Sequence, residues 1–345
     1  MKHHTLIFTG LICLLELFLA TPLKSLAQST TAIVVKAGES RFGVPTPFFG
    51  VNPNDLKLSS KDTKGKLSAF YYKGNQKIGP ALHLHYFQDE MFYILSGKYI
   101  FQLGKEKQML KAGDLVFLPR NIPHAWVQVS DTGEMFYFLQ PAGQMEEFFL
   151  KMTEMGGKAS EQEFARVREA CGIKDVGPAL NATDQHVFTE KFTNGFVVKS
   201  GTGRFGDKTV LNGVSPNDMK VSGKDTVGEL SVFEYTGNEK GGPPLHVHPN
   251  QDEVFFITQG EYLFKCGDEK FTLVNGDMIF LPRGIAHTWA QLTEQGKMLF
   301  FFQPSGRMED FFRSLGNQKG PISPEAGEKL FAGHEMKIVG PPLTY

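Results

Sequence analysis

A chain of 345 residues with 41% hydrophobic and 21% charged residues has the composition of an ordinary globular protein of about two domains. Its 36 Lys and Arg against 37 Asp and Glu leave a net charge near zero, and no long basic run offers a phosphate footprint, which argues against nucleic acid as a partner. The 31 Phe beside 37 Gly and 19 Pro point instead to aromatic-rich strands separated by many turns.

Residues 1–27 read as a secretory signal peptide. Lys2 supplies a basic start, Leu6 to Ala20 is mostly apolar, and Ser25-Leu26-Ala27 offers a small-x-small cleavage site. The apolar run of about 15 residues, interrupted by Glu16, falls short of the roughly 20 that span a bilayer. The mature chain is therefore expected to be secreted or periplasmic, with no stable membrane span once the signal is removed. Cys13 leaves with the signal. Cys171 and Cys266 remain, too few for a disulfide framework and not spaced as metal ligands, so both are expected as small buried apolar residues.

Beyond the signal the chain is one unit written twice. Val34-Val35-Lys36 returns as Val197-Val198-Lys199, Pro53-Asn54-Asp55 as Pro216-Asn217-Asp218, Phe117-Leu118-Pro119-Arg120 as Phe280-Leu281-Pro282-Arg283, and Val176-Gly177-Pro178 as Val339-Gly340-Pro341. The offset is always 163 residues, with no insertion or deletion. Two domains follow, 34–180 and 197–343, joined by a linker over 181–196. Within each, short aromatic and β-branched runs such as Leu67 to Tyr72, Met91 to Leu95, Tyr99 to Leu103, Leu115 to Leu118 and Met135 to Leu139 are punctuated by Gly, Pro, Asn and Asp. The pattern predicts an all-β fold, a sandwich or closed jelly roll. Short helices follow each barrel: Met145 to Met152, then one from Ser160, which has capping-box spacing to Glu163, and in the second copy one opening at Ser323-Pro324. They are expected to pack on the outside of each barrel or across the pair.

The chemistry concentrates in Leu82 to Glu90. His83 and His85, two residues apart on a strand, point to one face, and a turn brings Glu90 back beside them. Imidazoles suit several transition metals, and the added carboxylate keeps harder ions in contention. This is three quarters of a metal site.

With Gly79, His83, His85, Glu90 and Gly97, then Gly113, Pro119 and His124, the chain resembles the two motifs of the cupins, small jelly-roll β-barrels. Gly242, His246, His248, Glu253, Gly260, Gly276, Pro282 and His287 repeat them in register, so the resemblance is to a bicupin covering nearly all of the mature chain. It implies one divalent transition metal per domain, held by His83, His85, Glu90 and His124 and by His246, His248, Glu253 and His287; iron, copper, manganese, nickel and cobalt all suit such ligands. The histidine inventory agrees: of ten, two belong to the signal and six occupy motif positions. His186 and His334 read as ordinary structural histidines. Gly97 and Gly260 read as hairpin glycines, and Gly113-Asp114 and Gly276-Asp277 as turns. Trp126 and Trp289 follow the last His of each set by two residues and either wall the metal pocket or plug the core; Phe92, Ile94, Phe255 and Ile257 alternate in phase with the Glu residues and are expected to face the same pocket. Gln128 and Gln291 stand where such motifs commonly have Asn, a departure expected to alter hydrogen bonding around the site rather than metal ligation.

Within the cupins the likeness is to the quercetin 2,3-dioxygenase type. Four residues separate the second His from the Glu in both copies, and Gln-Asp-Glu-x-Phe occurs at 88–92 and 251–255. The resemblance implies a ring-cleaving dioxygenase acting on a flavonol-like or other enolised aromatic substrate, with dioxygen as co-substrate. Glu90 or Glu253 would both ligate the metal and accept the proton of an enolic hydroxyl. Two alternatives stand beside it: a non-catalytic metal- or small-molecule-binding bicupin, and an isomerase or decarboxylase using the ion as a Lewis acid. A homo-oligomer is compatible with all three.

Overall fold

The computed structural model describes residues 31–156, 159–318, 320 and 322–344, so the signal-peptide reading over 1–27 lies outside the described residues. Among the described residues no helix is long and apolar enough to cross a membrane. The chain is mostly β, arranged as four sheets, two to each repeat. In the first, a six-stranded sheet contains Leu115–Leu118, Asp89–Ser96, Gly133–Gln140, Ser68–Gly74 and Asn54–Leu58, and a five-stranded sheet contains Ile173–Ala179, Ala81–His85, His124–Gln128, Lys98–Leu103 and Glu106–Lys111. The pairings are antiparallel throughout, and the order is that of a jelly roll, with short helices after each barrel. The predicted strands fall where the aromatic runs placed them: Leu115–Leu118 matches at both ends, and the other ends shift by at most two residues. Gly97, at φ 82°, turns the hairpin between two of them; a Cβ there would lie 2.6 Å from Ser130 Oγ.

The first strand of each repeat does not join its own barrel. Ile33–Val35 pairs with Met278–Leu281 of the second domain, and Phe196–Val198 pairs with Leu115–Leu118 of the first, so the two domains exchange arms. The Gly-Asp turns anchor the exchange. Buried Asp277 accepts from Lys36 Nζ at 2.5 Å and from the Ala37 amide at 2.8 Å, while Asp114 accepts from Lys199 Nζ at 3.2 Å and from the Ser200 amide at 3.0 Å. Gly113, at φ 86°, serves two purposes: it makes the turn, and its missing side chain leaves room for Ser200, whose Oγ would sit 2.3 Å from an added Cβ. The expectation of turns at these positions is met, and the turns also join the domains, a role that only the meeting of distant segments reveals.

Between the barrels the larger sheets pack face to face, burying Tyr93, Phe136 and Phe138 of one against Phe256, Leu299 and Phe301 of the other. Phe136 stacks on Phe256 with centroids 4.1 Å apart, and Phe138 meets Phe301 edge-on at 4.7 Å. A buried polar link crosses this apolar layer, the Tyr93 hydroxyl donating to the buried Glu234 carboxylate.

Helices α1 (Met145–Met155) and α2 (Glu161–Ala170) follow the first barrel, α3 (Met308–Gly316) and α4 (Pro324–Gly333) the second. Ser160 caps α2 in a reciprocal capping box with Glu163, and Ser323 caps α4 ahead of Pro324, as the spacing predicts. For α1 and α3 the position corrects the expectation of packing outside the barrels or across the pair, whereas α2 buries no residue. Met145 and Phe149 of α1, and Met308, Phe311 and Phe312 of α3, are buried in the barrel cores, because a jelly roll open at one end leaves apolar inner walls that an amphipathic helix can cover.

Candidate metal centres

Each barrel gathers its four predicted ligands. His83 and His124 lie directly opposite each other on adjacent strands, so their side chains share a face, and His85 follows on the strand of His83. Glu90 comes from the facing sheet, second in the strand Asp89–Ser96. The second barrel repeats this with His246 opposite His287. In each set the ligand atoms lie within 4.8 Å of one another and all four residues are buried. The Glu90 carboxylate is 3.3 Å from His124 Nε2 and 3.6 Å from His85 Nε2; Glu253 is 3.0 Å from His287 Nε2 and 3.3 Å from His248 Nε2.

The donor set fits a divalent ion. His83, His124, His246 and His287 each hold Nδ1 against the carbonyl two residues earlier, at 2.7–2.9 Å. A carbonyl only accepts, so Nδ1 carries the proton and the Nε2 lone pair is turned toward the cage. The Nε2 atoms of His85, His124 and His287 are buried without a hydrogen-bond partner, an arrangement that is costly unless a cation accepts those lone pairs.

Electrostatics prepare the same state. Burial holds the His246 and His248 imidazoles down to about 3, with the neighbouring His287 ring adding to the effect, and burial likewise lowers His83 well below its usual range. For Glu90 burial pushes upward, yet the approach of His124 and His85 outweighs it, and the net shift is downward. Neutral imidazoles and an ionised carboxylate are the forms that ligate metal. In metal-free protein this has a consequence for acid stability. His246 and His248 titrate near 3 when folded and near 6.5 when unfolded, so below about 6.5 the unfolded chain binds protons first. The urea midpoint of metal-free protein is expected to fall steadily as pH is lowered from about 6.5 toward 3; a flat profile across that interval would contradict the burial of these rings.

Above the two cages the cavities differ. The N-terminal one measures about 80 Å³ and the C-terminal one about 660 Å³. Trp126 and Trp289 wall them, resolving the choice between wall and plug, and Phe92 and Phe255 face them as expected. Ile94 and Ile257 do not. They are fully buried in the cores but line neither cavity, because each lies four residues from its Glu, roughly 13 Å along the strand and thus deeper in the barrel. Gln128 and Gln291 also depart from expectation. Their amide groups donate to the backbone carbonyls of Gly74, Ser130 and Asp131, and of Gly237 and Thr293, while their carbonyls accept from Tyr99 and Tyr262. They tie strand ends together at the far end of the barrel, because a strand places them four residues beyond the ligand. His186 and His334 make local bonds to the Asn181 and Leu330 carbonyls, away from either cage.

A pair of residues that sequence reasoning passes over positions the ligands. Asp89, immediately before Glu90, takes two hydrogen bonds from the Arg120 guanidinium at 3.0 and 2.7 Å and one from its amide at 2.9 Å; Asp252 and Arg283 repeat this at 3.0, 2.8 and 2.8 Å. The fork clamps the strand bearing the Glu to the loop that leads into the third His. The repeated Phe-Leu-Pro-Arg and Gln-Asp-Glu phrases carry this signal, but only the fold brings them together. Arg283→Ala is expected to weaken metal retention in the C-terminal barrel about 10- to 100-fold, read by competition with a chromogenic chelator; unchanged retention would show that the clamp does not position the ligands.

The Cupin domain family matches two stretches, 71–139 and 232–302, one in each repeat. Quercetin 2,3-dioxygenase of Bacillus subtilis is 20% identical over 122 residues, 35% of this chain and 35% of its own length. An uncharacterized protein of Methanocaldococcus jannaschii is 42% identical over 43 residues, 12% of this chain and 34% of its own, and one of Streptomyces coelicolor is 32% identical over 54 residues, 16% and 51%. The matched stretches thus span about a third to a half of the curated relatives' lengths. Among solved structures, oxalate decarboxylase from Bacillus subtilis at pH 4.6 superposes with a TM-score of 0.53 at 13% identity, over 82% of this chain and 79% of that one. A second structure of that enzyme, from work on its Mn(II) centres, gives 0.55 at 13% identity over 86% and 90%. At such identity the likeness is one of fold.

Proposed function

From the premise that the chain belongs to the cupin superfamily and carries two of its domains, we propose that it is a metal-dependent dioxygenase cleaving a ring of a flavonol-like or other enolised aromatic substrate. The observation that carries this reading is the C-terminal site, where a His-His-His-Glu cage opens into a cavity of about 660 Å³ walled by Phe255, Trp289, Phe300, Phe302 and Phe311. That volume lies within the roughly 300–1,000 Å³ of small-molecule sites, and such walls suit a flat aromatic ligand better than a small polar acid. The partial similarity to a quercetin 2,3-dioxygenase supports the same direction.

A bound divalent ion, for which iron, copper, manganese, nickel and cobalt are all chemically suitable, would supply Lewis acidity at the floor of the cavity, held by His246, His248, Glu253 and His287. Glu253 accepts the proton of an enolic hydroxyl placed beside it, leaving an enolate whose carbon is electron-rich toward dioxygen. The aromatic walls hold the rings and keep water from the anion. Asn212 donates to Glu239 at 2.9 Å, both lining the cavity, where they give polar groups to a substrate's hydroxyls.

Purified protein loaded singly with each metal and offered a panel of flavonols and other enolised aromatic ketones is expected to consume oxygen with at least one pairing, in step with loss of the substrate's absorbance. No uptake with any pairing would overturn the proposal. Product formed under strict anaerobiosis would point to Lewis-acid isomerisation or decarboxylation, and ligand binding without turnover to a binding protein.

A further inference from the structure

We infer that the chain holds two metal ions but a single multi-ring ligand, in the C-terminal barrel, and that the residues at Phe48-Phe49 and their counterparts Leu211-Asn212 set the difference. The inference deepens the proposed function and rests on it. The two cages share ligand types, strand register and Nδ1 anchoring, so nothing in their donors separates them as metal sites. What differs is the space above. About 80 Å³ admits a few water-sized molecules beside an ion but no multi-ring ligand, whereas about 660 Å³ admits several fused or linked rings.

The plug in the N-terminal barrel is aromatic. Phe48 stacks on Trp126 with centroids 5.4 Å apart and meets Tyr72 at 5.8 Å, and Phe49 packs edge-on against Phe48 at 4.6 Å. One repeat later stand Leu211 and Asn212, and Trp289 keeps only Tyr235 and Tyr262 as ring neighbours among the described residues. Backbone conformation sharpens the contrast. Phe49 is held at φ 50° and Asn212 at φ 53°, a left-handed region that Asn enters readily and that is uncommon for a bulky residue. Phe49 therefore occupies a costly conformation while lining the small cavity.

A second closing device spans the same mouth. Arg168 of α2 is paired with Asp175 at 2.5 Å, both lining the small cavity, so an ion pair ties the helix to the strand Ile173–Ala179. Their counterparts, Phe331 and Ile338, are apolar; Phe331 lies edge-on to His246 at 5.5 Å and forms a wall of the large cavity instead. Gly327 of α4 leaves that wall open, and a Cβ added there would meet nothing nearer than 3.8 Å.

The test counts ions and ligands on the full chain loaded with redox-inert zinc, under anaerobic conditions so that binding is read without turnover. Metal analysis is expected to give two zinc ions per chain, and calorimetric titration one quercetin. Leu211→Phe with Asn212→Phe should weaken that binding at least tenfold while the chain still folds, at a melting temperature lowered by the strain of Phe at φ 53°, and Gly327→Phe, on a different wall, serves if the double variant unfolds. Phe48→Leu with Phe49→Asn should raise the ratio to two. Two quercetin molecules on the native chain, or one that survives both C-terminal variants, would overturn the inference, and a ratio unmoved by Phe48→Leu with Phe49→Asn would overturn the assignment of those positions. 2-Naphthol separates the readings: if it binds once and is lost in Leu211→Phe with Asn212→Phe while quercetin does not bind, the single large site stands and the flavonol substrate falls. Binding of neither probe overturns both.

Discussion

Replacing Glu253 by Gln is expected to lower oxygen-dependent turnover about 10²- to 10⁴-fold, the range lost when a positioned proton acceptor is removed. Glutamine keeps the shape of the side chain but not its charge or basicity. Its amide presents hydrogen-bond donors where the carboxylate lay 3.0 Å from His287 Nε2 and 3.3 Å from His248 Nε2, so metal retention in that barrel should also suffer. The contribution of the base is isolated by measuring turnover per bound ion. Glu90→Gln alters the equivalent carboxylate beneath the small cavity, and its effect on turnover is expected to be at least tenfold milder. Equal losses in the two variants would mean that both barrels turn substrate over, and a Glu253→Gln enzyme with native turnover per ion would remove the carboxylate from the chemistry.

The largest expected effect on stability lies far from either cage. Phe256 is fully buried between the domains, stacked on Phe136 at 4.1 Å, and Phe256→Ala is expected to cost about 3–5 kcal/mol in chemical denaturation. The surrounding layer comes from two sheets already fixed by their own ladders and by exchanged arms, so it cannot collapse to fill the gap. Both domains should lose stability together, in one shifted transition, because each contributes a strand to the other's sheet. A loss below about 1 kcal/mol, or a transition that splits so that only one domain is weakened, would show that the domains stand independently.

Much of the site is legible in the amino-acid sequence. His83 and His85 converge because a strand alternates its faces, a local rule, and duplication repeats the ligand pattern. The helix starts at Ser160 and Ser323 are equally local, since a cap depends on residues three positions apart. Ile94 and Ile257 escape such reading because alternation gives the face of a residue but not its depth in the barrel. Gln128 and Gln291 escape it for the same reason, on the strands that carry His124 and His287.

The sequence by itself determined the duplication, the β character and the His-x-His and Glu of each set, because each rests on spacing within a few residues or on an exact repeat; His124 and His287, 34 residues beyond the Glu, entered through the resemblance to the cupins. Tertiary structure alone decided that the repeats trade their first strands, that Asp114 and Asp277 anchor that trade, and that the helices roof the cages. It also decided that one cage lies beneath about 80 Å³ and the other beneath about 660 Å³. These features depend on which distant surfaces meet. Phe48 and Leu211 are both ordinary apolar residues in sequence, and only the packing of one against Trp126 makes it a plug.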